Sequence, residues 1–284
     1  MRVIGPLTDP VAYGGHAEDA FDVVIPAIPG YGISGKPSDP GWNPERVARA
    51  WDVLMKRLEY NRYVSEGGDH GSVISDALAR QAPAGLLGIH LTMPATIPEN
   101  LVKSINSGDP APNDLTGPEL RAYNALSVFF GRNAAYGAMM VTRPQTIGYA
   151  LADSPSGLAA WTYEKIAARS DSDGRPETVI GRDEILDDIT LYWFTNSGAS
   201  SSRFYWENNN NNFSATAQKT SLIMVPVAIT VFPHEIYRAP ESWSLRAYPT
   251  LYYFHEAEKG GHFAAWEQPE LFSADIRAAF KPLR

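Results

Sequence analysis

The stretch "SEGGDHGSVI", Ser65 to Ile74, places a carboxylate at the centre of a glycine-rich turn. Gly67 and Gly68 precede Asp69, and His70 and Gly71 follow it. The pattern fits a sharp strand-to-helix turn that presents one reactive side chain. A hydroxyl usually stands at that position. A carboxylate suits attack on a saturated carbon instead, because the alkyl ester it forms has an acyl carbon open to water. A serine attacking the same carbon would leave an inert ether. The chemistry implied is covalent catalysis on an epoxide or an alkyl halide, with a base to activate water and an acid to orient that base. His262 in "KGGHFAAWEQPELF" and Glu235 in "ITVFPHEIYRAP" supply one of each. Taken singly, Asp69 could cap a helix, His262 could pack a loop, and Glu235 could be a solvated surface charge. Their chain order, Asp then acid then His, with each expected at a strand end, binds them into one constellation.

The elements that must position them read as strands alternating with helices. "FDVVIPAI" (Phe21–Ile28) is a continuous apolar run closed by "PGYG", which predicts a buried parallel strand. "PERVARAWDVLMKRLEY" (Pro44–Tyr60) predicts a helix capped by Asn43, with proline at its first position. "RYVSEGGD" (Arg62–Asp69) reads as a short strand, and "SVISDALARQAP" as a helix stopped by Pro83. "LLGIHLTMP" (Leu86–Pro94), "VPVAITVFP" (Val225–Pro233) and "TLYYFHEA" (Thr250–Ala257) predict further strands, and "PELFSADIRAAFKPL" a closing helix. From about Pro98 to Ala215 the pattern is helical and aromatic, which predicts a helical insertion. The expected division is residues 1–97 as the first part of the core, 98–215 as a helical lid, and 216–284 as the second part of the core. The whole implies an α/β fold with a mostly parallel sheet. The asparagine run at 208–212, after Glu207, reads as a flexible loop.

Composition removes several function classes. The 284 residues carry 24 Lys+Arg against 32 Asp+Glu, a formal charge of -8, which argues against nucleic acid and anionic membranes as partners. The absence of cysteine excludes thiol nucleophiles, disulfides and zinc-thiolate sites. No apolar run reaches the roughly 18 residues of a membrane span, and the first residues lack the apolar core of a signal peptide. The expected setting is the cytoplasm. "GYGISG" spells a dinucleotide-binding pattern, but Pro37 and Pro40 follow where a helix would have to start, so it reads as a loop. "HEIYR" begins like a zinc motif, but Arg238 stands where the second histidine would be. His16, His90 and His255 are too scattered to build a metal site and read as structural. No cofactor and no metal are expected. A monomer and a homo-oligomer both stay open.

The segments "FDVVIPAIPGYGISGKP", "GGDHGS", "TRPQTIGYALADSPSGLAAW", "FPHEIYRAPESW" and "GGHFAAWEQPELF" resemble, in order and spacing, the epoxide hydrolases of the microsomal type. The resemblance covers essentially the whole chain. It implies an α/β-hydrolase fold with Asp69 as nucleophile, His262 as general base and Glu235 as the acid orienting it. It also implies Tyr136, ahead of "TRPQTIG", and Tyr205, in "SSRFYWEN", as lid tyrosines that donate to the epoxide oxygen. Among 14 tyrosines, nothing but the resemblance selects these two. A phenol with a pKa near 10 is a suitable donor to a leaving alkoxide at neutral pH.

Two departures from the family's pattern stand out. His70 follows the nucleophile where the family has Trp, so the substrate-facing wall becomes more polar while its backbone N–H still serves the oxyanion hole. The family's upstream H-G-x-P loop occurs nowhere in this chain. The expectation is therefore a sheet lacking its first strands, with unpaired ladder groups and one oxyanion donor fewer, and a chain of residues 1–284 that is poorly soluble or nearly inactive when expressed alone. The rival readings are a haloalkane dehalogenase, which shares the Asp–His–acid logic, and an inactive homologue acting as a binding protein or fragment.

Overall fold

A computed structural model describes residues 2–209 and 213–284. Its sheet consists of β1 (Tyr63–Gly67), β2 (Leu86–Leu91), β3 (Val227–Val231) and β4 (Leu251–Glu256). They lie side by side in the order β1-β2-β3-β4, and each pairing is parallel. Each strand falls within a run expected to be a strand, and β3 and β4 are rich in β-branched or aromatic residues. β3 is buried at every position, as an interior parallel strand covered on both faces must be.

Helices fill the connections. α1 (Pro44–Arg57) starts at Asn43, whose side-chain oxygen accepts from the Arg46 N–H at 3.0 Å. α2 (His70–Gln81) follows β1 and packs its Ile74, Ala77 and Leu78 into the main core with Ile89, Leu91 and Ile229. Between β2 and β3 come α3 (Glu99–Ser107), α4 (Gly117–Val128), α5 (Ala135–Thr142), α6 (Pro144–Asp153), α7 (Pro155–Arg169), α8 (Arg182–Phe194) and α9 (Gly198–Glu207). This helical stretch leaves and rejoins the sheet layer at one place. The Ile97 N–H donates to Phe213 O at 2.8 Å, and the Ala215 N–H donates to Ile97 O at 3.3 Å. α10 (Glu241–Ala247) links β3 to β4, and α11 (Pro269–Phe280) closes the chain. No described helix is long and apolar enough to cross a membrane.

α9 crosses α6 closely. A side chain on Gly148 would bring a Cβ within 2.6 Å of Ala199 Cβ, so only glycine admits this approach. The crossing brings Tyr205 of α9 toward Tyr136 of α5. Their rings meet edge to face with centroids 6.1 Å apart.

One expected strand is absent. Phe21–Ile28 forms no ladder; the segment is irregular and half-exposed, with Ile25 50% exposed. A strand exists only by hydrogen-bonding to a neighbour, and β1 ends the sheet among the described residues. Pro26 also has no N–H to offer a ladder. The segment's apolar character is used differently, as Phe21 and Val23 pack on a second cluster built by Phe232, Phe272, Ile276 and Phe280. The loop reading of "GYGISG" agrees with the irregular backbone there. Of the asparagine run, residues 210–212 lie outside the described residues.

Candidate active site

The site lies beyond the carboxyl ends of β1, β3 and β4, where a parallel α/β sheet opens its crevice. At the end of β1 the chain turns sharply into α2. Asp69 is held there at φ 48°, ψ −123°, a left-handed conformation that is costly for a residue with a side chain. A Cβ on Gly67 would lie 2.2 Å from Gly71 O, so the turn can close only over glycine. Asp69 stands at the helix-cap position, but its side chain caps nothing. It turns instead toward His262.

His262 Nε2 lies 3.1 Å from Asp69 Oδ2, and its Nδ1 lies 2.7 Å from Glu235 Oε1. The loops after β3 and β4 meet to make this possible. The His234 N–H donates to Gly260 O at 3.1 Å, a bridge that fixes Glu235 and His262 on adjoining backbones. Glu235 also accepts from the Ile236 N–H at 2.6 Å, which sets its carboxylate toward the imidazole. Both side chains are nearly closed to solvent, while Asp69 keeps 33% of its side-chain surface open. That open face is where a substrate could reach it.

The charges are interdependent. Burial disfavours an imidazolium, but the carboxylates of Glu235 and Asp69 outweigh it and push the His262 pKa up to about 10. Burial likewise disfavours the Asp69 carboxylate, yet His70, His262 and Arg169 hold its pKa far below the ordinary range. At neutral pH the resting pair is therefore carboxylate and imidazolium.

His70 is buried beside this pair. Its ring stands edge-on to Tyr205 and Phe204, with centroids 4.5 Å and 5.0 Å away. The Asn208 side-chain amide lies 3.2 Å from His70 Nδ1. Burial lowers the His70 pKa and keeps the ring neutral, against the opposing pull of Asp69. With Nδ1 accepting from the amide, Nε2 carries the proton and has no partner among the described residues.

The two selected tyrosines are brought together over Asp69. Burial raises the Tyr205 pKa well above its usual value, and the Asp69 charge adds to this. Burial also raises that of Tyr136, where Arg169 opposes the rise. Both phenols stay protonated at neutral pH. Among the described residues, no cluster of three His, Asp or Glu side chains could hold a metal.

Three residues escaped the sequence reading. Arg169, at the end of α7, packs its guanidinium 4.6 Å from the Tyr136 ring centroid. Tyr31, in the "PGYG" loop, stands edge-on to Tyr192 and Phe204 and turns toward the same region a buried hydroxyl that has no partner among the described residues. Glu267 accepts from three backbone N–H groups: Asp171 at 2.6 Å, Gly261 at 3.1 Å and Phe263 at 2.9 Å. It thereby ties both neighbours of His262 to the segment that follows α7. Only the "PGYG" turn carried a local signal, as a loop after an apolar run. Arg169 and Glu267 sit in helical patterns where a charge reads as solvated.

No protein-family model matches the chain. A Stigmatella aurantiaca protein named provisionally as an epoxide hydrolase is 47% identical over 284 residues, covering 100% of this chain and 61% of that one. Epoxide hydrolase 1 of Oryctolagus cuniculus is 35% identical over 288 residues, covering 97% of this chain and 63% of that one. The crystal structure of juvenile hormone epoxide hydrolase from the silkworm Bombyx mori matches with a TM-score of 0.77 at 30% identity, over 91% of this chain and 63% of that one. The chain thus spans somewhat under two thirds of the length of these relatives.

Proposed function

We propose that the chain, which is similar over its whole length to epoxide hydrolases and shares the fold of the solved ones, is itself an epoxide hydrolase that converts an epoxide to a vicinal diol. The observation that carries this reading is the carboxylate of Asp69, in a strained turn, ion-paired to an imidazole that a second carboxylate orients. Asp69 Oδ2 is held by His262, which leaves Oδ1 to attack one ring carbon. A carbon–oxygen bond forms, the ring carbon–oxygen bond breaks, and the leaving alkoxide takes a proton from Tyr136 or Tyr205. The product is a hydroxyalkyl ester on Asp69.

The ester has lost the negative charge that helped hold the proton on His262. One of the two carboxylates raising its pKa is gone, so the imidazolium can release its proton, which restores the phenol that protonated the alkoxide, and then act as a base. A water activated by His262 then adds to the ester carbonyl. The oxyanion faces the His70 N–H, which stands ahead of the first helical donor, Gly71. Collapse breaks the ester carbon–oxygen bond to the substrate, the proton of the added hydroxyl passes to the departing alkoxide, and Asp69 is freed as a carboxylate with the diol. No cofactor enters. His70 lines the substrate pocket, residues 98–215 act as its lid, and the cytoplasm is the expected compartment.

The test compares styrene oxide with a bromoalkane. Diol from the epoxide without halide from the bromoalkane supports the reading. Halide release without diol, or neither product, overturns it.

A further inference from the structure

Resting on the epoxide-opening reading, we propose that Arg169 is a positioning residue that singles out Tyr136 as the phenol surrendering its proton, leaving Tyr205 to orient the oxygen. The two phenols stand in unlike surroundings. Tyr136 has the Arg169 guanidinium 4.6 Å and the Lys165 ammonium 4.9 Å from its ring centroid, both projected from successive turns of α7. The opposite phenol, Tyr205, meets the His70 imidazole at 4.5 Å, which burial keeps neutral. A cation beside a phenol favours its phenolate, so proton release is easier from Tyr136.

Arg169 is fixed for this task. Its carbonyl accepts from the His262 N–H at 3.0 Å, and two residues on, Asp171 gives its N–H to Glu267 at 2.6 Å and takes the Gly260 N–H at 2.9 Å. The same backbone that seats the histidine therefore seats the guanidinium. Among the described residues no carboxylate lies within 4 Å of Arg169 to form an ion pair. Its charge bears first on Tyr136, to which it also hydrogen-bonds, and less strongly on Asp69 and Tyr205. The groups bearing on the Tyr136 phenol are Arg169 from α7, Tyr205 from α9, Asp69 from the turn and Tyr31 from its loop. Asp69 raises the proton affinity, and Arg169 opposes it, with the Lys165 ammonium over the same ring.

The experiment reads the phenols directly. Tyrosine labelled with carbon-13 at Cζ is titrated by NMR, with Tyr136→Phe and Tyr205→Phe assigning the two resonances. Tyr136 should titrate below Tyr205, and Arg169→Gln should move its midpoint upward by about one pH unit or more. Arg169→Lys, which keeps a charge, should fall between. Tyr136 titrating at or above Tyr205, or a midpoint unmoved in Arg169→Gln, overturns the proposal.

Single-turnover alkylation by styrene oxide supplies the second readout. Arg169→Gln should slow it roughly tenfold, a part of what a general acid contributes. The same change in a Tyr136→Phe background should cost almost nothing further. Full additivity of the two losses would assign Arg169 a merely structural role. A wild-type protein that opens no epoxide defeats the proposed function, and the NMR ordering still decides the role of Arg169.

Discussion

His262 Nε2 and Asp69 Oδ2 lie 3.1 Å apart although the two residues are separated by 193 positions in the chain. In the proposed mechanism that contact joins the nucleophile to the base that later releases it. Removing either partner should stop the reaction at a different stage. Asp69→Ala should abolish turnover. His262→Gln should still alkylate and then stall, which intact mass spectrometry would show as protein plus one substrate mass. Turnover in Asp69→Ala, or no adduct on a folded His262→Gln protein, would remove the covalent mechanism.

The same contact makes stability depend on pH. Folding raises the His262 pKa from 6.5 to about 10, so the imidazolium favours the native state. That contribution is complete below pH 6.5 and disappears as the pH rises through about 10. The unfolding temperature should fall across this window, and the fall should be shallower in His262→Gln. Parallel pH profiles for the two proteins would show that the ion pair adds nothing to stability.

The pair of phenols predicts a redundancy that packing residues would not show. Tyr136→Phe should slow alkylation more than Tyr205→Phe, and neither alone should abolish it, because one phenol remains over the oxygen. The double change should lose the general-acid contribution altogether, roughly 10²–10⁴-fold. Stopped-flow alkylation would read all three, and mild, simply additive losses would mark both rings as packing.

Glu267 should act on the histidine through the backbone. Glu267→Ala leaves three N–H groups without their acceptor, each costing roughly 1–3 kcal/mol if it stays buried and unpaired. Thermal unfolding should register that loss. In Glu267→Gln, which retains one acceptor oxygen, ester hydrolysis should slow more than alkylation, so the covalent intermediate accumulates during turnover. Equal slowing of both steps would mean that Glu267 supports the fold without aiming His262.

What the sequence by itself determined was local. The turn around Asp69 was legible because only glycine tolerates the approach of Gly67 to Gly71. The start of α1 was legible because Asn43 and Pro44 satisfy a helix end with their own atoms. His262 and Glu235 could be chosen because their order matched one chemistry. The tyrosine pair needed a family resemblance, since nothing in the spacing distinguishes one phenol from another. Tertiary structure decided the rest. Phe21–Ile28 has the composition of a strand but not its structure, because a strand's hydrogen bonds belong to a neighbour that the segment does not itself contain. Arg169 and Glu267 look like solvated helix charges until the fold sets one against Tyr136 and the other beneath the His262 loop. A charge takes its role from the groups within a few ångströms of it, and those groups come from distant parts of the chain.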